Sequence, residues 1–250
     1  MFGNFFRKRP EMKTAKDVKR ITFAERVIPG QEHIPKKERS TEFIEFGGGD
    51  FGSIAVGRVK FNDGTEKRVA IKFFHKDRVV SDAMAKQYRE VMADFKSAGV
   101  RIPKMDMVKL PTGEWVQVSA LFGSSGKGSK FKSNLQWSIY HAIEAGEAAV
   151  LNYFEQCVLI ANAGYKPYVD AFFVNPKTKQ VYVGDLDLFA RFGKSSTNNI
   201  IRDLYSQQSL LLRVTTVNKL LEVFRKRANF GLRRHEKKIF GTLLNVVAKK

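Results

Sequence analysis

Residues 46–72 read FGGGDFGSIAVGRVKFNDGTEKRVAIK. Gly47, Gly49 and Gly52 keep the spacing G-x-G-x-x-G, and Ile54 stands two residues after the last glycine. Asn62-Asp63-Gly64 is a turn signal between two alternating, β-branched runs, the second of which ends Val69-Ala70-Ile71-Lys72. Glycines on a hairpin let backbone N–H groups come close to phosphate oxygens, because no Cβ stands in the way. A lysine on the following strand can bring its ammonium to the same oxygens. A dinucleotide-binding fingerprint would need the glycines to open a helix, whereas here they lead into a second strand.

Glycine loop, hairpin and V-A-I-K together resemble the nucleotide grip of the protein kinase-like superfamily. The resemblance implies an α+β, two-lobed protein kinase-like fold: a β-rich N-lobe with one long helix, and a compact helical C-lobe. Its bounds would be a basic N-terminal extension over 1–40, an N-lobe over 41–122, a Gly/Ser hinge or linker over 123–132 and a C-lobe over 133–250. ATP would be held by Gly47, Gly48, Gly49, Asp50, Phe51, Gly52, Ser53, Ile54, Ala70 and Lys72.

Upstream of this stretch, residues 12–27 have mixed helical character, and Pro29, Gly30 and Pro35 mark a linker before the first strand. Downstream, Ser81 can cap a helix running to about Ala98, with Tyr88, Val91, Met92 and Phe95 as its apolar face and Gly99 as its stop. Glu90 flanks that face, and the resemblance makes it the partner of Lys72. Met105–Leu110 and Glu114–Leu121 read as two more strands around Pro111-Thr112-Gly113. Residues 133–163 read as one helical stretch, with Trp137, Tyr140, Phe154 and Leu159 as core candidates. The Gly/Ser run before it does not satisfy the P-loop pattern. Three helices, over 199–213, 216–229 and 233–247, complete the chain.

Between Gly164 and Phe189, two short strands, Ala171–Val174 and Val181–Gly184, flank an Asn-Pro-Lys-Thr turn. Asp170 precedes the first strand, and Asp185 and Asp187 follow the second. Carboxylates at the joined ends of a hairpin suit Mg²⁺, which takes one or two of them together with phosphate oxygens and water. Val-Tyr-Val-Gly-Asp185-Leu-Asp187 is similar to the kinase strand and D-F-G, with Asp185 at the metal-binding aspartate and Leu and Asp replacing Phe and Gly. This departure, with no long activation segment, resembles lipopolysaccharide-kinase or aminoglycoside-phosphotransferase types of minimal kinase.

The catalytic loop has two registers. Asp170 and Asn175 stand five apart, as Asp and Asn do in H-R-D-x-x-x-x-N, which makes Asp170 the base and Asn175 a metal ligand. Alternatively Asp170 occupies the place of the kinase asparagine just before the strand and binds metal. Asn175 then only starts a turn, and the base position falls at Tyr165. No carboxylate lies between Gly164 and Asp170.

Composition bounds the rest. The 250 residues carry 43% hydrophobic and 12% aromatic side chains, a globular content. The single cysteine, Cys157, excludes an internal disulfide and stands in an apolar run, as an inert buried thiol would. Cysteine and four scattered histidines give no zinc spacing, and no apolar run reaches the length of a membrane span. Net charge is +19, of which residues 1–40 hold +6 and residues 211–250 hold +9. Basic ends of this kind suit an anionic partner, whether nucleic acid, anionic lipid or acidic protein.

The expectation is therefore an ATP- and Mg²⁺-dependent phosphotransferase acting on a hydroxyl of a protein, sugar or lipid headgroup. The alternative is a nucleotide-binding pseudokinase scaffold that docks a partner through its basic ends. The expected place is the cytoplasm, or the periphery of a membrane given Phe2, Phe5 and Phe6 beside Arg7-Lys8-Arg9.

Overall fold

The computed structural model describes residues 18–23, 25–27, 41–43, 45–49, 52–110, 112–120, 136–175 and 177–247. Asp50, Phe51, the Gly/Ser stretch 123–132, Met1–Arg9 and the Pro29–Pro35 linker lie outside the described residues. The fold is α+β and divides into two units, residues 1–79 with 104–121 and residues 80–103 with 122–250. The helix that follows Lys72 belongs to the second unit.

The first unit holds strands β1 (Val18–Phe23), β2 (Glu25–Val27), β3 (Thr41–Phe43), β4 (Glu45–Gly49), β5 (Gly52–Phe61), β6 (Glu66–Phe74), β7 (Met105–Lys109) and β8 (Trp115–Ala120). β2 pairs with β3, and the others form an antiparallel sheet in the order β1-β5-β6-β8-β7, with β4 also on β5. The β5–β6 hairpin turns where the sequence marks it. Asp63 Oδ1 accepts from the Thr65 N–H at 3.1 Å and its hydroxyl at 2.7 Å, and Gly64 takes φ +82°.

Helical character over 12–27 is overturned for residues 18–23 and 25–27, which are strands. The reason is an open edge. β4 pairs only with Gly52–Ala55, so the far half of β5 would keep unpaired backbone groups, and β1 fills it from Phe23↔Gly57 to Val18↔Phe61. Val18, Ile21, Thr22 and Phe23 suit a pleated strand.

Period-2 alternation gives this sheet two different faces. Val59, Val69, Ile71, Val108, Val116 and Val118 are buried together, with Phe73 and Leu110 packed against them. Lys72 has the opposite parity and shares its face with Ala70 on its own strand.

The second unit contains helix α1 (Asp82–Ala98), strand β9 (Gln136–Trp137), helices α2 (Ser138–Ala145) and α3 (Glu147–Asn162), and the hairpin β10 (Phe172–Val174) and β11 (Val181–Val183). Helices α4 (Asp187–Phe192), α5 (Thr197–Leu211), α6 (Val217–Arg227), α7 (Phe230–Arg233) and α8 (Glu236–Val247) complete it. α1 begins and ends as its sequence signals. The Ser81 hydroxyl accepts from the Met84 N–H, worth about 1 kcal/mol for such a cap, and Gly99 closes the helix at φ +79°.

The single helix expected over 133–163 is instead β9, α2 and α3, because Gly146 at φ +95° breaks the ladder between the two helices. Trp137 therefore lies in a strand opposite Phe173, and Tyr140 is 57% exposed rather than core. α3 is the axis of the unit, with Val150, Tyr153, Phe154, Cys157, Val158 and Ile160 all fully buried.

Gly52 is required by close approach, since a Cβ there would lie 1.9 Å from the Phe73 carbonyl oxygen on the paired strand. Gly52→Ala should destabilise the protein by about 2 kcal/mol or more, because backbone rather than a flexible side chain must move. A melt within 1 °C of the parent protein, on a scale where about 1 kcal/mol shifts Tm by roughly 2–4 °C, would refute this packing.

Candidate functional site

In the first unit, sheet register builds a row across four strand pairs: Gly47↔Ile54, Ile54↔Lys72, Lys72↔Gln117 and Gln117↔Met107. Partners directly opposite put their side chains on one face. The glycine-strand backbone, Ile54 and the Lys72 ammonium therefore share a face, and Ala70 and Val56 extend it by a second row. Gly48 and Gly49 pair with Ser53 and Gly52, and Asp50 and Phe51 of the expected phosphate loop lie outside the described residues. Lys72 is half-buried, with its ammonium 5.9 Å from the Phe74 ring centroid. Gln117, which the sequence did not single out, is 5% exposed beside it, and its Oε1 has no hydrogen-bond partner.

The second unit holds the acidic residues. Asp170 sits exposed in the 3-10 turn Val169–Ala171. The Ala171 carbonyl accepts from the N–H groups of Gly184 at 2.9 Å and Asp185 at 3.4 Å, so the turn carrying Asp170 is stitched to the turn carrying Asp185. Gly184 is needed there, as the Phe173 ring occupies the place of a Cβ, 1.6 Å away. Asp185 Oδ1 accepts the Asp187 N–H at 3.0 Å.

Asp187 differs from its neighbours. It is fully buried at the first turn of α4, where an acidic group favours the helix N-terminus, and its Oδ1 accepts the hydroxyl of Tyr88 from α1. Burial first, then the Asp187 carboxylate, pushes the Tyr88 phenol far above the ordinary range. Asn175 forms the turn between the strands, its Oδ1 accepting from the N–H groups of Lys177 at 3.0 Å and Thr178 at 3.2 Å. Glu90 is exposed and makes an ion pair with Lys86 one turn earlier, at 3.7 Å.

Tyr165 is buried, its ring edge-on to Phe95 and its hydroxyl donating to Asp94 Oδ2 at 2.9 Å. Lys194 Nζ reaches the same oxygen at 3.1 Å. Burial and Asp94 raise the Tyr165 phenol, which stays protonated at neutral pH. The loop from Tyr165 to Asp170 is held from beneath by Gln207 of α5. This side chain is 4% exposed, accepts from the Tyr153 hydroxyl at 3.0 Å and the Cys157 thiol at 3.2 Å, and donates to the Pro167 carbonyl at 2.6 Å. Burial raises the Cys157 thiol, in keeping with an unreactive group.

A further anchor comes from Arg101. Its guanidinium donates to Asn152 Oδ1 at 2.6 Å and Glu155 Oε2 at 2.8 Å, its N–H to Gln156 Oε1 at 2.7 Å, and its carbonyl accepts the Val183 N–H at 2.8 Å. The β10–β11 hairpin is thereby fastened to α3 on its outer edge. The signal for this network was present in the sequence, as Asn152, Glu155 and Gln156 interrupt an otherwise apolar helix.

Among the described residues, no group of three or more His, Cys, Asp and Glu side chains is placed to hold a metal ion. Asp170 and Asp185 are a two-carboxylate set on adjoining turns, the number Mg²⁺ commonly takes from a protein beside phosphate. No protein-family model matches the chain, and no curated protein matches it.

Tyr88→Phe removes a donor from a buried carboxylate and should destabilise the protein by about 1–3 kcal/mol at neutral pH. A phenol raised on folding contributes stability that is full below its unfolded value of about 10 and is lost as pH rises above it. Urea titrations at stepped pH should therefore show the gap between parent and Tyr88→Phe narrowing above pH 10. A gap constant through that range would be inconsistent with a phenol held protonated by Asp187.

Proposed function

We propose that the chain is an ATP- and Mg²⁺-dependent phosphotransferase of protein kinase-like fold, acting on a hydroxyl acceptor. The observation that carries the reading is the row Gly47–Ile54–Lys72, which sets a glycine hairpin and a strand lysine on one face of an antiparallel sheet. Backbone N–H groups of the glycine strand and the Lys72 ammonium would bind the polyphosphate. Ala70 and Val56 would offer an apolar floor to the base. Glu90 as the partner of Lys72 is carried by the sequence alone. The strand-hairpin-helix-strand-strand order of β4, β5, β6, α1, β7 and β8 supports the same reading.

Asp170 and Asp185 would hold Mg²⁺, which neutralises charge on the phosphate oxygens when bound. The geometry favours the register in which Asp170 is a metal ligand and Asn175 a turn residue, since Asn175 Oδ1 is already taken by two backbone N–H groups. Asp187 would support Asp185 through its N–H rather than face the metal. Transfer would rest on positioning and electrostatics, the larger part of phosphoryl transfer in any case.

A second reading, a nucleotide-binding protein without efficient transfer that docks a partner through its basic ends, is favoured by Tyr165. It stands where this register puts the base, buried and donating to Asp94.

The tests separate these readings. Lys72→Ala should abolish most thermal stabilisation by Mg-ATP without unfolding the protein, and equal stabilisation in the two proteins would sink the nucleotide site. Asp185→Asn and Asp170→Ala should each lower the magnesium dependence of ATP binding at least tenfold, while Asn175→Ala leaves it unchanged. Loss of metal dependence in Asn175→Ala with none in Asp170→Ala would restore the other register. Labelled ATP with no phosphate released or transferred, despite tight Mg-ATP binding, would select the second reading.

A further inference from the structure

The most exposed aromatic ring of the described C-terminal helices is held outward by a rigid turn. α6 ends at Arg227, and Ala228-Asn229 leads into the short helix α7, whose first residue, Phe230, is 70% exposed. This turn is pinned on both sides. Asn162, at the end of α3, donates to the Arg227 carbonyl at 2.8 Å and accepts the Asn229 N–H at 2.9 Å. Asn229 Oδ1 caps Leu232 N–H at 3.0 Å, Arg233 Nε donates to the Ala228 carbonyl at 2.8 Å, and Ala228 and Leu232 are buried beneath. The protein therefore fixes a phenyl ring in water within a strongly basic segment.

The ring stands in a basic segment. Residues 225–238 carry seven basic side chains and one acidic one. Arg225 is paired with Glu236 at 2.6 Å, and Arg227 meets Glu155 at 2.6 Å, a carboxylate it shares with Arg101. Lys226, Arg233, Arg234, Lys237 and Lys238 are exposed along the same segment. The Arg234 guanidinium lies 4.3 Å over the ring centroid and covers one π-face. A stacking platform for nucleotide bases would offer its open faces. An exposed ring in a basic segment, one face already taken by Arg234, matches instead the two chemistries of a bilayer interface, an acyl layer under anionic headgroups.

We infer that the Phe230 turn is a docking site for an anionic phospholipid surface, with the ring inserting below the headgroups and the exposed basic side chains of residues 226–238 meeting the phosphates. This inference is independent of the phosphotransferase reading, because none of these residues belongs to the proposed nucleotide site.

The experiment uses the full chain and sedimentation with vesicles of phosphatidylcholine alone or with phosphatidylserine. Binding should require phosphatidylserine and fall with salt. The double variant Lys237→Gln/Lys238→Gln should lower partitioning about 25-fold, at about fivefold per charge. Phe230→Ser should weaken binding without moving the thermal melt. Phe230→Trp should gain an emission blue-shifted by vesicles and quenched by brominated acyl chains, above the background of the native tryptophans. No binding at low salt overturns the inference, as does binding that these variants leave unchanged, which would locate it in another basic segment. Charge-dependent binding with no quenching at position 230 overturns insertion, and binding to an oligonucleotide in place of vesicles assigns the surface to nucleic acid.

Discussion

A carboxylate sealed from water must be met by donors inside the protein, and at Asp187 one of them is the Tyr88 hydroxyl. That contact joins residues 99 positions apart in sequence, and much of the second unit is arranged so that it can form. α1 brings Tyr88 to α4 with Phe95 one face-repeat later, and Phe95 packs edge-on against Phe189 at 4.9 Å. Phe189 in turn meets Tyr165 at 6.2 Å and Tyr168 at 5.1 Å. The aromatic cluster supplies the dry surroundings that make the hydrogen bond strong, and the hydrogen bond makes the cluster tolerable to a charge-bearing group. Asp185 inherits its orientation from this arrangement, since its Oδ1 is tied to the Asp187 backbone.

Buried polar side chains also decide how the hairpin and the loop before it sit on α3. An apolar helix face would accept β11 in several registers at similar energy. Asn152 accepts from Val181 N–H and from Arg101, and Glu155 is shared between Arg101 and Arg227, so only one placement satisfies every group. Gln207 does the same for the loop, where bonds from Tyr153 and Cys157 orient the amide that donates to the Pro167 carbonyl. The exposed Asp170 carboxylate thus follows a loop fixed by a buried side chain.

Legibility in the sequence followed the range of the interaction. The glycine hairpin, the Asn-Asp-Gly turn, the Ser81 cap and the Gly99 stop are set by neighbours within a few residues, and the structure has each of them where the residues imply. β1 was missed because its cause is the unfilled edge of β5, more than thirty positions away. The α2–α3 break was missed because Gly146 reads as a tolerated helix glycine until its φ is known. The acids show the same limit. Spacing placed Asp170, Asp185 and Asp187 together at the hairpin ends, but whether each faces water or Tyr88 depends on packing that spacing does not encode. Asn175 could be read as ligand or turn former, and the sequence left the two open until its two bonds to backbone N–H groups were seen.

The first unit turns a folding constraint into a chemical one. On its sheet, Val69, Ile71 and Phe73 point to the valine-rich face, and Ala70 and Lys72 to the other. Because the side-chain period is two, a slip of one residue between β5 and β6 would drive the Lys72 ammonium into the valine cluster and turn Val69 and Ile71 out. Desolvating that charge without a partner costs several kcal/mol, more than a sheet of this size can give up. The Asn62-Asp63-Gly64 turn at one end and the contact of Gly52 with the Phe73 carbonyl at the other hold the register against that slip. Loosening either end therefore costs stability rather than producing a slipped sheet, because the register that keeps Lys72 off the valine cluster is the one the sheet can tolerate.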